Sequence, residues 1–160
     1  MNIFDFAMEK EKYSEDYYRQ LAAKSSNKGL ETVFNMLADE EAKHYKIISD
    51  MKGNIAPDSA ETTVLSDTKD VFVKMRESTQ SFSFNNSQIE LYRKALEIEK
   101  QSWDFYLEKA NEVTESRKEI FLKLADEEKK HFCLIENILD FVSRPETWLE
   151  NAEFYHLEEY

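Results

Sequence analysis

Leu37-Ala-Asp-Glu-Glu-Ala-Lys-His44 returns 87 positions later as Leu124-Ala-Asp-Glu-Glu-Lys-Lys-His131, identical at seven of eight places. A second echo lies at nearly the same offset. Glu11-Lys-Tyr-Ser-Glu-Asp-Tyr-Tyr18 and Glu99-Lys-Gln-Ser-Trp-Asp-Phe-Tyr106 share Glu, Lys, Ser, Asp and the final Tyr, 88 positions apart. The chain is therefore two copies of one unit, and the pattern around the repeats identifies that unit as a helical hairpin. Leu30, Phe34, Leu37, Ile48 and Met51 recur in steps of three and four around Glu41 and His44. Phe121, Leu124, Ile135 and Ile138 do the same around Glu128 and His131. Such a period is the apolar stripe of an α-helix facing a core.

Four helices follow, over about 2–23, 29–51, 87–111 and 116–142. Ser25-Ser-Asn-Lys-Gly29 and Asn111-Glu-Val-Thr-Glu-Ser116 are loops short enough to force antiparallel neighbours. The predicted fold is all-α, an antiparallel four-helix bundle built from two repeated hairpins. A polar crossover over about 52–86 joins them, with a short helix expected over 70–78. The domain reading is a bundle over 1–142 and a tail over 143–160. In that tail Ser143 and Glu146 have capping-box spacing, and a short helix is expected to carry Trp148, Leu149, Phe154 and Tyr155 onto the bundle or a second subunit. His156 reads as a surface or packing residue.

Composition agrees with this architecture and excludes others. Two glycines and two prolines in 160 residues are too few for the turns of a sheet or barrel. A net charge of −12 leaves no basic stripe for nucleic acid and would repel an anionic membrane surface. No segment is apolar enough for a signal peptide or a membrane span. The lone cysteine, Cys133, excludes an internal disulfide and any thiolate-based metal site. A cytoplasmic location is the expectation.

The repeats place charge where charge is costly. Residues three apart share a helix face, so Glu41/His44 and Glu128/His131 sit inside their apolar stripes. The first and third helices add one carboxylate each. Glu11 lies among Phe4, Ala7, Tyr18 and Leu21, and Glu99 among Tyr92, Leu96, Trp103 and Tyr106. The midpoint of 11 and 41 falls in the first loop and the midpoint of 99 and 128 in the second. Folding each hairpin there brings all six groups level. Four bare carboxylates in one core layer would cost several kcal/mol each. Two divalent cations balance them, with two imidazoles completing the shell. An oxygen-rich set with two nitrogens suits iron or manganese. Tyr18 and Tyr106, two turns beyond Glu11 and Glu99, are placed to hydrogen-bond and orient the carboxylates. Ser14 and Ser102, one turn beyond the same glutamates, leave space beside the metals.

These motifs resemble the rubrerythrin branch of the ferritin-like superfamily, on Glu11 with Tyr18, Glu41-Ala-Lys-His44, Glu99 with Tyr106, and Glu128-Lys-Lys-His131. One Glu from each of two helices and Glu-x-x-His from each of the other two is the di-iron set of ferritin-like bundles. The ending Pro145-Glu-Thr-Trp-Leu-Glu-Asn-Ala-Glu-Phe-Tyr-His-Leu-Glu-Glu-Tyr160 is also similar to that of bundle-only relatives. The resemblance implies two iron ions as cofactor (manganese or zinc can occupy such a site in a purified sample). Glu41 and Glu128 would bridge, Glu11 and Glu99 would be terminal, and the histidines would cap each ion. It further implies a homodimer that reacts with hydrogen peroxide or dioxygen in oxidative-stress defence. The alternative is iron binding, ferroxidase action or storage without sustained peroxidase turnover. Two departures bear on the choice. No four-cysteine rubredoxin domain is present, so electrons must come from an external donor protein such as a rubredoxin. Ser102 also stands where rubrerythrins carry an extra Glu.

Overall fold

The computed structural model describes residues 2–78 and 81–150. Among these residues six α-helices follow in order: α1 (Ile3–Lys24), α2 (Lys28–Lys52), α3 (Val64–Glu77), α4 (Asn86–Lys109), α5 (Glu115–Ser143) and α6 (Pro145–Glu150). No strand occurs among the described residues. Helices α1 and α2 form one close antiparallel hairpin and α4 and α5 the other, and together they make the four-helix bundle.

Local chemistry sets the ends of these helices. Asn2, Asn27 and Asn85 each accept a hydrogen bond from the amide three residues on (2.9, 2.8 and 2.9 Å), satisfying a donor that the first turn leaves open. Gln88 completes a capping box at Asn85. At the far end of α2 the chain reverses at Asn54, which takes a left-handed φ of 57°. Arg117 ties that turn to α5 through Met51 O and Asn54 Oδ1.

Two predicted details are corrected. The crossover helix starts at Val64, six residues before the expected 70, because Val64, Leu65, Thr68, Phe72 and Met75 form one buried stripe. Ser143 does not cap α6. Its Oγ donates to Leu139 O at 2.8 Å inside α5, and the new helix starts at Pro145, whose fixed φ and missing N–H suit a first helical position. Helix α6 then buries Trp148 and Leu149. The Trp148 ring packs against Phe72 of α3 and Phe141 of α5, at 4.9 and 5.6 Å between centroids. Phe154, Tyr155 and His156 lie outside the described residues.

The apolar interior is split in two. One cluster gathers Tyr18, Leu30, Phe34, Leu37, Phe72, Tyr92, Ile135, Phe141 and Trp148. The other gathers Ala7, Ile47, Ile48, Phe105, Tyr106, Phe121 and Leu124. Between them, at mid-height on α2 and α5, lie Glu41 with His44 and Glu128 with His131. The polar layer is thus sealed above and below by hydrocarbon.

Candidate metal centre

Glu11, Glu41, His44, Glu99, Glu128 and His131 all converge in that layer, each 1% exposed or less. They form two overlapping groups. Glu11, Glu41, His44 and Glu128 each bring a donor atom within 4.8 Å of the others, and so do Glu41, Glu99, Glu128 and His131. Glu41 and Glu128 belong to both.

The geometry is twofold throughout. His44 Nδ1 meets Glu128 Oε1 at 2.8 Å, and His131 Nδ1 meets Glu41 Oε1 at 3.0 Å. Each imidazole also lies 3.6 Å from the single glutamate of its own hairpin, His44 from Glu11 and His131 from Glu99. The rings are nearly parallel, 5.6 Å apart. The tyrosines reach across the axis. Tyr18 donates to Glu99 and Tyr106 to Glu11, both at 2.5 Å. Every one of these hydrogen bonds joins the two hairpins.

Charge is unevenly held. Burial drives the Glu41 carboxyl well above its usual range, and the neighbouring Glu11, Glu128 and Glu99 add to the rise. Glu128 rises for the same reasons, with Glu99 and Glu11 beside it. Burial works against ionised Glu99 too, but hydrogen bonds from Glu128, His131 and Tyr18 and the charge of His131 hold it at about 2. Glu11 is likewise lowered against its burial, by Glu41, His44 and Tyr106. Burial disfavours a charged His131, yet Glu99, then Glu40 and Glu127, raise its pKa. The layer thus favours the protonated form of Glu41 and Glu128 and the ionised form of Glu11 and Glu99.

These residues fit a pair of cations. Oε2 of each of the four carboxylates is sealed from solvent without a hydrogen-bond partner, and so is Nε2 of each imidazole. Both Nδ1 atoms point into the same space. An acceptor-rich, donor-poor cavity of this kind is what metal ions relieve.

Two acids beside the centre, one on α2 and one on α5, were not read from sequence. Glu127 is 3% exposed with one oxygen held by Lys130 at 3.1 Å and the other unpartnered. Glu40, its repeat counterpart, accepts from Thr62 and also buries an unpartnered oxygen. The doubled Glu in both repeats was the available signal. Trp103, expected in the core stripe, packs against the second cluster but is only half-buried, with its ring 5.7 Å from that of Phe132. Ser14 and Ser102 form the floor of a groove of about 300 Å³ between α1 and α4, walled by Phe6, Tyr13 and Ile98.

A four-helix bundle with four buried carboxylates and two imidazoles at its centre defines the class of ferritin-like carboxylate proteins with a di-metal site. The chain belongs to the rubrerythrin family, whose model matches residues 2–139. No curated protein and no solved structure matches it. Membership makes this a di-iron carboxylate protein by family. No helix among the described residues is long and apolar enough to cross a membrane.

Proposed function

We propose that this chain is a non-haem di-iron oxidoreductase that reduces hydrogen peroxide or dioxygen with electrons from an external carrier protein. The observation that carries the reading is the sharing of Glu41 and Glu128 by both donor groups. In this reading Glu41 and Glu128 would serve both ions, Glu11 and His44 would complete one set, and Glu99 and His131 would complete the other. When bound, the two ions supply one electron each and a Lewis-acidic seat for the substrate oxygen. The protein does the rest. The crossed Tyr18–Glu99 and Tyr106–Glu11 bonds fix the carboxylate orientations. The two hydrocarbon clusters keep bulk water out. The groove floored by Ser14 and Ser102 admits a small oxidant from the α1–α4 side. Reduction of H₂O₂ to two waters takes two electrons and two protons.

We also keep residues 1–142 as the metal-holding bundle and 143–160 as an appended tail, with a cytoplasmic homodimer as the working form. Ser102 favours a second reading. Without a carboxylate there, iron can be bound and oxidised without sustained peroxidase turnover.

The test is metal analysis, then anaerobic loading with Fe(II) and addition of peroxide or oxygen. Two irons per chain and the near-ultraviolet band of a diferric centre support the proposal. Repeated turnover with a reduced carrier separates the first reading from the second. Binding of fewer than two metals, with Glu41→Ala and Glu128→Ala leaving stability unchanged, overturns both.

A further inference from the structure

The two hairpins are copies, so the seam between them should look alike on either side of its middle. Between α1 and α4 it does not. The crossed bonds from Tyr18 to Glu99 and from Tyr106 to Glu11 set the register there. Ser14 and Ser102, midway along both spans, therefore stand level with each other. Both are buried, 2% and 4% exposed, one turn from Glu11 and Glu99. To one side of the serines the seam is shut. Tyr17 donates to Leu91 O at 2.6 Å across it, and the Lys94 ammonium covers the Tyr17 ring at 5.4 Å.

To the other side the repeat carries Phe105 for Tyr17, Ile3 for Leu91 and Phe6 for Lys94. Phe105 has no hydroxyl to reach across, and the seam opens. A hollow of about 300 Å³ rises from the two serines between Phe6 and Ile98, with Glu9 and Lys10 at its rim. Lys10 holds its ammonium over the rings of Phe6 and Phe105, at 5.8 and 5.5 Å. Beyond Phe6 a second hollow of about 350 Å³ continues along Ile3 and Phe105. It ends at Lys109 and Glu112, which pair with each other at 2.9 Å. From Ser14 back to Ile3 the furrow runs about 16 Å at the rise of a helix. Its floor is polar where it meets the metal layer, and its walls are apolar along the rest.

We propose that this furrow takes a hydroperoxide carrying an apolar chain, with the –OOH group at Ser14 and Ser102 and the chain along Phe6, Phe105 and Ile3. The inference rests on the redox reading above and names the class of its oxidant. Hydrogen peroxide uses none of the apolar length, whereas an alkyl chain laid there leaves water. A neutral chain suits the lining better than a charged one, because the cation at the far end is already paired. Reduction breaks the O–O bond. Two electrons from the carrier of that reading and two protons convert ROOH to ROH and H₂O.

The test uses the full chain loaded with two irons, and linear alcohols and hydroperoxides of about two to ten carbons. The alcohols, as unreactive products, report binding alone and are followed by calorimetry. Their affinity should rise about threefold per added CH₂ until the furrow is full. With a reduced carrier, kcat/KM for the long hydroperoxides should exceed that for hydrogen peroxide about tenfold or more. A graft of Ile3→Leu, Phe6→Lys and Phe105→Tyr transfers the residues of the shut side, which the same fold already accommodates. Phe6→Lys alone is the milder variant, since Phe6 is 49% exposed. Both should flatten the dependence on chain length, in binding and in kcat/KM. Alcohol binding that ignores chain length in the wild type, or a dependence that survives the graft, overturns the proposal. Turnover of hydrogen peroxide with no gain for longer chains also overturns it and leaves the redox reading standing. No turnover of any hydroperoxide by a chain holding two irons overturns both.

Discussion

The proton inventory of the metal-free centre predicts an unusual pH dependence of stability. Glu41 and Glu128 are raised well above 4.5 by burial and by neighbouring carboxylates, so the folded state retains two protons that the unfolded chain releases near that value. Where the folded state binds more protons, stability falls as pH rises. Each such proton contributes a slope of up to about 1.4 kcal/mol per pH unit. Two groups give a ceiling of about 2.7 kcal/mol per unit, or roughly 5–10 °C in Tm per unit for a chain of this size. His131, raised from 6.5, acts in the same direction above that pH. Glu99, held at about 2, and Glu11, also lowered, contribute slope only below 4.5, where stability falls as pH falls. The assay is differential scanning calorimetry of metal-free protein from about pH 5.5 to about 7.5, with Glu41→Gln/Glu128→Gln as the comparison. The wild type should lose stability steeply across this window, and the double variant, neutral in both states, should lose most of that slope. Metal-loaded protein should slope the other way, because metal and protons compete for the same oxygens. A flat or rising metal-free profile, or an equal slope in the double variant, would refute the proton inventory.

Three further outcomes follow from particular contacts. Tyr18→Phe removes the donor to Glu99 on the opposite hairpin and should weaken metal binding about tenfold to a hundredfold, read by competition with a chelating dye. Phe72→Ala opens the cluster with Phe141 and Trp148, far from the centre, and should cost about 3–5 kcal/mol in urea unfolding while leaving two metals bound per chain. Binding of two divalent ions at pH 7 should release protons from Glu41 and Glu128, so calorimetric heats measured in buffers of different ionisation enthalpy should differ in proportion; equal heats would mean that both were already ionised.

The sequence carried the six converging residues because their positions follow from phase and loop midpoint alone. Glu41 and His44 share a face by spacing, and Glu11 is levelled with them by a fold at the first loop. The crossing of the tyrosines was not legible. Helical phase says that Tyr18 shares a face with Glu11, but not that its hydroxyl passes to Glu99 on another helix. The partial exposure of Trp103 was hidden for a related reason. Four residues from Glu99 is about 40° off its axis, at the stripe's edge, whereas Tyr106 at seven residues is about 20° off. An apolar residue at that edge can turn inward or out to the seam, and only the packing of Phe132 decides it. The early start of α3 was hidden because Thr68, polar in composition, is completely buried there.

The placement of the hydrogen bonds gives the centre a structural role beyond chemistry. Close helix packing occurs within each hairpin, α1 on α2 and α4 on α5, while the hairpins meet across a wider seam. Four short polar contacts span that seam: His44 to Glu128, His131 to Glu41, Tyr18 to Glu99 and Tyr106 to Glu11. In the metal-free state they hold because Glu41 and Glu128 keep protons. If those protons leave without cations replacing them, four carboxylates repel across the interface that they otherwise close. Metal ions shared through Glu41 and Glu128 would turn that repulsion into a bolt between the two copies. The charges that would hold the metals would then also join the bundle's halves, and loss of metal above neutral pH should loosen the seam between hairpins before either hairpin itself.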